Sequence, residues 1–159
     1  MKRLLGFAAV VVLSAVAAAT VAAQSNPLVG TWKLNVAKSK FSPGPGPKSL
    51  TRTVVADGDG VKYTFEGTAA DGTALAYSFS VHFDGKDNPV TGAMPGGVDA
   101  ISAKRTNANT YEATTKKGGK VIGSSTVTVS ADGKTTTVDA KGTNAKGEAT
   151  HDVSVYDKQ

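Results

Sequence analysis

The sequence predicts an all-β protein: a single antiparallel up-and-down β-barrel of about eight or nine strands, preceded by a cleavable export signal. Three observations predict it. Gly-centred reversal signals recur along the chain, and the runs between them alternate apolar and polar side chains with period two. Most of the reversals are also too short for anything but hairpins between neighbouring strands.

Lys2 and Arg3 open the chain, an uncharged apolar run extends from Leu4 through Val16, and small residues fill the stretch to Val21-Ala22-Ala23. That order is the layout of a secretory signal peptide, with Ala23 meeting the small-residue rule at the cut. A retained anchor is the alternative, because the uncharged stretch from Leu4 to Ala23 is about as long as the 20 residues that span a bilayer. No Cys follows it, which excludes lipid-anchored maturation. Cleavage after Ala23 divides the chain into a signal peptide, 1–23, and one barrel domain, 24–159, a length that suits a single core. The expected location is therefore the periplasm or the extracellular medium, with no stable membrane insertion after cleavage.

Of the formal net charge of +5, two units sit on Lys2 and Arg3, so the mature domain carries an ordinary solubility charge. Lys117, Lys120, Lys134, Lys141 and Lys146 sit beside Gly at expected hairpin tips rather than in a stripe with interleaved aromatics, which argues against a nucleic-acid surface. With no cysteine, stability must come from packing and ladder hydrogen bonds. A monomer is expected.

In chain order, the opening strand spans Val29 to Leu34 and the next Ser49 to Ala56. The turn Asp57-Gly58-Asp59-Gly60 leads into Val61 to Glu66, and Asp71-Gly72 into Leu75 to Phe83. In the latter, Leu75, Tyr77, Phe79, Val81 and Phe83 share one face. Weaker alternation marks Val98 to Arg105, Asn109 to Lys116, Val121 to Ser130, Lys134 to Thr143 and Glu148 to Tyr156. Turns at Lys117-Gly118-Gly119, Asp132-Gly133 and Lys146-Gly147 separate the last four. Gly supplies the positive φ that tight hairpins need, and Asp tolerates it. Two segments read as loops: Asn35 to Lys48, with a short helical turn at Val36 to Lys40 and Phe41 tucked against the barrel end, and the Pro/Gly-rich Lys86 to Gly97. A meander left open exposes two edges, so closure is the simplest arrangement. A two-sheet sandwich is the alternative, although it usually needs longer connections.

The run Asn26-Pro27-Leu28-Val29-Gly30-Thr31-Trp32-Lys33-Leu34 contains a Gly-X-Trp that resembles the first-strand motif of lipocalins and other calycins. With the Pro/Gly-rich loop, the Asp-Gly hairpins and the closing Tyr156-Asp157-Lys158, the chain is similar to bacterial lipocalin-like secreted proteins of unknown function. Gly30 allows close entry at the barrel floor and Trp32 can plug it. The resemblance implies a cation from the last strand across the Trp32 ring. Lys158 is placed for this, while Arg105 is the better stacking group but lies mid-chain, where the motif does not put it. The chain also stops close after the last strand, where lipocalins carry a helix.

No chemical constellation emerges. His82 and His151 fall on polar strand faces without a second ligand at metal spacing, and Asp57 and Asp59 lack the carboxylate that would complete a calcium loop. Glu66, Asp99, Glu112 and Asp139 sit near lysines rather than forming a tuned acid–base pair, and there is no nucleophile elbow or nucleotide-binding glycine motif. No cofactor, metal or catalytic residue is expected, and the protein reads as a non-enzyme.

The interior remains. Bulky inward residues concentrate in the first half, whereas Ala103, Ala113, Gly123 and Ala140 in the second leave volume. A barrel of about eight strands is at the size where side chains either just fill it or enclose one small ligand. Tyr63, Phe65, Tyr77, Phe79 and Tyr111 are the candidate lining of a pocket for a small hydrophobic molecule that is bound or carried unchanged. The alternative is a filled core, with the protein acting as an interaction or inhibitor module through the loops Phe41 to Lys48 and Pro89 to Gly97.

Overall fold

A computed structural model describes residues 26–144 and 146–159; the export signal expected over residues 1–23 lies outside them. Ten antiparallel strands form a closed barrel: β1 (Gly30–Leu34), β2 (Ser49–Asp57), β3 (Gly60–Thr68), β4 (Ala74–Val81), β5 (Asn88–Gly92), β6 (Ala100–Asn107), β7 (Thr110–Lys117), β8 (Lys120–Val129), β9 (Thr135–Thr143) and β10 (Ala149–Lys158). Each strand pairs with its neighbour in sequence, and β1 closes the ring against β10 through Trp32↔Lys158 and Leu34↔Tyr156. Closure removes the sandwich alternative, because no sheet edge is left to separate two layers.

The barrel has one strand more than the upper end of the expected eight or nine. The expected loop Lys86 to Gly97 contains β5, held to β4 by Tyr77↔Gly92, Ser78↔Thr91 and Phe79↔Val90, and to β6 by Asn88↔Ile101 and Pro89↔Ala100. Pro89 has no N–H to give, so this seam is short and tolerates what a central strand would not. After it, Pro95–Gly97 makes one 3-10 turn. A second 3-10 turn, Val36–Lys38, falls where a helical turn was expected, and Asn35 caps it by accepting from the Lys38 amide.

Phe83 is the other departure. It lies beyond β4 with φ of 57°, so it does not continue the face of Tyr77 and Phe79 as an extended residue. Its ring still turns inward, packing edge-on against Tyr111 at 5.2 Å. Phe41 packs against the core from the long first loop, and Gly46 is required there because a β-carbon would collide with the Phe41 ring.

The two barrel ends differ. At the end carrying the β2–β3 and β8–β9 turns, Trp32, Val54, Val61, Val81 and Val129 are completely buried and form a floor. Trp32 Nε1 donates to the Leu28 carbonyl at 2.9 Å, which ties the segment preceding β1 across that floor. At the other end Leu34 and Leu50 are buried on β1 and β2, while β8 and β9 carry Gly123 and Gly142, which face each other in the ladder.

Candidate functional site

Period-two geometry sets the site. Inward residues of β3 and β4 pair directly, Tyr63 with Phe79 and Phe65 with Tyr77, so four rings stack into one wall. Ring centroids are 4.6 Å apart for Phe65 and Tyr77, 5.2 Å for Tyr63 and Phe79, and 5.7 Å for Phe65 and Phe79. On the opposite side of the ring, β8 and β9 present Gly123, Ser125, Ala140 and Gly142, with Ser125 directly opposite Ala140 and Gly123 opposite Gly142 in the ladder. Large rings facing residues of almost no side chain leave space between the walls.

That space is a cavity of about 280 Å³, and Tyr63, Phe65, Tyr77, Phe79 and Tyr111 all line it. Val81, Val98, Ile101 and Val127 add apolar surface. Met94, Pro95 and Gly96 stand at the rim on one side, and Thr143, Thr150 and Asp152 on the other. The segment after β5, expected only as a loop, thus contributes part of the entrance.

The hydroxyls of Tyr63 and Tyr111 are hydrogen-bonded at 2.8 Å inside the barrel. Burial raises the phenol pKa of both above its ordinary value, and does the same for Tyr77 and Tyr156. The pocket therefore presents neutral O–H groups rather than phenolates throughout the physiological range.

Arg52 also lines the cavity, a residue that the sequence reading missed. It is 2% exposed and is the one charged side chain in the buried interior among the described residues. Its guanidinium carbon lies 4.4 Å from the Tyr156 ring centroid, 5.5 Å from Trp32 and 5.7 Å from Tyr63. Nε and Nη2 are buried without a hydrogen-bond partner in the protein. The signal was in the sequence: Arg52 alternates in phase with Leu50 and Val54, both buried.

Three of the four remaining predicted residues, Gly30, Trp32 and Lys158, meet at the floor. Lys158 Nζ is 5.0 Å from the Trp32 ring centroid. Gly30 has φ of +140°, and a β-carbon there would fall 2.7 Å from Lys158 Cε, so the lysine stem reaches the ring by crossing over a residue with no side chain. Arg105 does not join this group. Its guanidinium lies 4.3 Å from the Phe83 ring and Nη1 donates to the Ala108 carbonyl, because β6 and its turn hold it on another part of the same end. The second cation at the Trp32 ring is Arg52 instead.

His82 pairs with Asp59 and His151 with Asp139, each at 3.0 Å on the outer surface. No group of three or more metal-type ligands converges among the described residues. Asp71, Asp84 and Asp132 accept backbone N–H bonds from Thr73, Lys86 and Lys134, which is turn chemistry.

No model of a known protein family matches the sequence, and no curated protein matches it. Among solved structures, zebrafish ileal bile acid-binding protein complexed with cholic acid is similar at a TM-score of 0.46 and 12% identity, over 84% of this chain and 99% of that one. The redesigned β-barrel mFAP1 bound to DFHBI gives 0.46 and 12%, over 83% and 95%. Lobster apocrustacyanin A1 gives 0.44 and 13%, over 86% and 63%. At these identities none of the likenesses carries a ligand, a partner or a residue role across to this chain.

Proposed function

We propose that this protein is exported, sheds residues 1–23, and works in the bacterial periplasm or outside the cell as a monomeric, non-enzymatic lipocalin-like barrel that binds or carries a small hydrophobic molecule. The observation that carries this reading is the cavity of about 280 Å³ between the aromatic wall of β3 and β4 and the small-residue wall of β8 and β9. Apolar surface with a few fixed polar groups is the usual make-up of a small-molecule site, and burial of the ligand's apolar area supplies the affinity. Tyr63, Phe65, Tyr77, Phe79 and Tyr111 are the contact residues, with the linked Tyr63 and Tyr111 hydroxyls as polar anchors. The interaction-module alternative supposed a filled core, and the cavity favours the carrier over it.

Native mass spectrometry of protein purified from its own periplasm is the direct test. A mass adduct that disappears on delipidation, with saturable binding of fluorescent lipids, is the expected result. Consistent absence of any co-purified molecule, together with no binding across the lipid panel, overturns the proposal.

A further inference from the structure

We infer that Arg52 is the anchor for the negatively charged end of the bound molecule, so that the ligand is an amphiphilic monocarboxylate held with its head group toward the barrel floor and its apolar body against the aromatic wall. The inference rests on the reading of the cavity as a ligand site and names the chemistry of what enters it.

A guanidinium stays protonated under all physiological conditions, so Arg52 cannot escape burial by losing its charge. Burying an ion without a partner is among the most costly arrangements in a protein interior, and a fold retains one only where something offsets it. Part of the offset is visible: the rings of Trp32, Tyr63 and Tyr156 lie within cation–π reach. Those rings offer no lone pair to the guanidinium. Its N–H edge is left unmatched, since Nε and Nη2 have no acceptor in the protein and no described carboxylate forms an ion pair with the group. Nε and one Nη together are the fork that binds a carboxylate through two parallel bonds.

Position sets the orientation. Arg52 sits beside Trp32, its partner in the β1–β2 ladder, at the floor side of the cavity. The rim carries the Asp152 carboxylate, which repels an anion, and Lys141, which is exposed to water. A single buried positive charge is matched by one negative charge; a dianion would leave a buried excess of the opposite sign. The phenols around Arg52 are neutral donors and add no competing charge.

The test compares cis-parinaric acid with its methyl ester, two fluorescent probes of the same apolar body, on delipidated protein expressed with its own leader. Wild-type protein is expected to bind the acid at least tenfold more tightly than the ester. R52M should bind both about equally, close to the wild-type affinity for the ester, and ligand-free R52M should melt at or above the wild-type temperature because an unpaired charge has been replaced by an apolar chain of similar length. K141M should keep the preference for the acid.

Three results overturn the inference while leaving the pocket intact: equal binding of acid and ester by the wild type, an acid preference that survives R52M, or one lost in K141M instead. A fall in the melting temperature of R52M with the acid preference unchanged would make Arg52 a structural support of Trp32 and also overturn it. Failure of both probes to bind the wild type is a different outcome, which removes the pocket reading and this inference together.

Discussion

The phenolic oxygens of Tyr63 on β3 and Tyr111 on β7 lie 2.8 Å apart, joining strands that are not neighbours in the sheet across the interior of the barrel. One hydroxyl donates and the other accepts, and both residues are buried. Y63F or Y111F alone leaves one buried hydroxyl without its partner, and each is expected to cost about 1–3 kcal/mol. The double variant Y63F/Y111F removes both groups, so its loss should be smaller than the sum of the two single losses. Urea denaturation of the three variants measures this, and strict additivity would mean that the two hydroxyls do not depend on each other.

All four tyrosines are buried, and burial is the largest cause of the raised pKa at each. A group whose folded pKa lies above its unfolded value adds stability below the unfolded value, near 10.0 for a free phenol, and that contribution is lost as pH rises beyond it. Stability should therefore be insensitive to tyrosine at neutral pH and fall steeply above about pH 10. Absorbance at 295 nm should report all four tyrosines ionising together with loss of the β-sheet circular dichroism signal. Ionisation of one or more of them with the sheet signal intact would show that the interior is open to hydroxide.

At the floor, Gly30, Trp32 and Lys158 form one unit in which the lysine stem passes over the glycine to reach the ring. G30A places a β-carbon in that path at a positive φ, and is expected to cost about 1–3 kcal/mol. K158M keeps the covering stem and loses only the charge over the ring, so its cost should be about 0.5–1 kcal/mol. Trp32 is the only tryptophan, and its fluorescence reads both unfolding curves without interference. A K158M loss equal to that of G30A would mean that the charge, rather than the close approach, holds the floor.

Much of this was legible because side-chain alternation is local. Tyr63 and Phe65, like Tyr77 and Phe79, are two residues apart and must share a face once the strand is extended, so their common wall follows from spacing alone. The closed antiparallel barrel followed from short reversals. β5 escaped because Pro89 and Gly92 are loop residues by composition, and only its pairing with Tyr77 to Phe79 makes it a strand. Arg52 escaped for a subtler reason: its spacing matched Leu50 and Val54, but a charge at an inward position contradicts the polarity rule by which inward positions are recognised. The match between Arg105 and Trp32 failed because stacking preference says which cation is chemically suited and nothing about which one the register delivers.

Ala140 on β9 lines the cavity on the side of the barrel opposite the aromatic wall, and its ladder partner Ser125 is also small. A140L adds three carbons at that point. Where a real void exists, the new side chain fills it and buries apolar surface at little strain, so the ligand-free variant should melt no lower than the wild type. The same volume is then denied to a ligand, and binding of the methyl ester of cis-parinaric acid should weaken at least tenfold. In a tightly filled interior the added carbons would instead force neighbouring side chains off their rotamers and destabilise the fold by about 1–3 kcal/mol. Thermal melting and probe titration on the one variant thus separate the carrier from the filled module: retained stability with lost binding belongs to the first, and lost stability in a protein that never bound the probe belongs to the second.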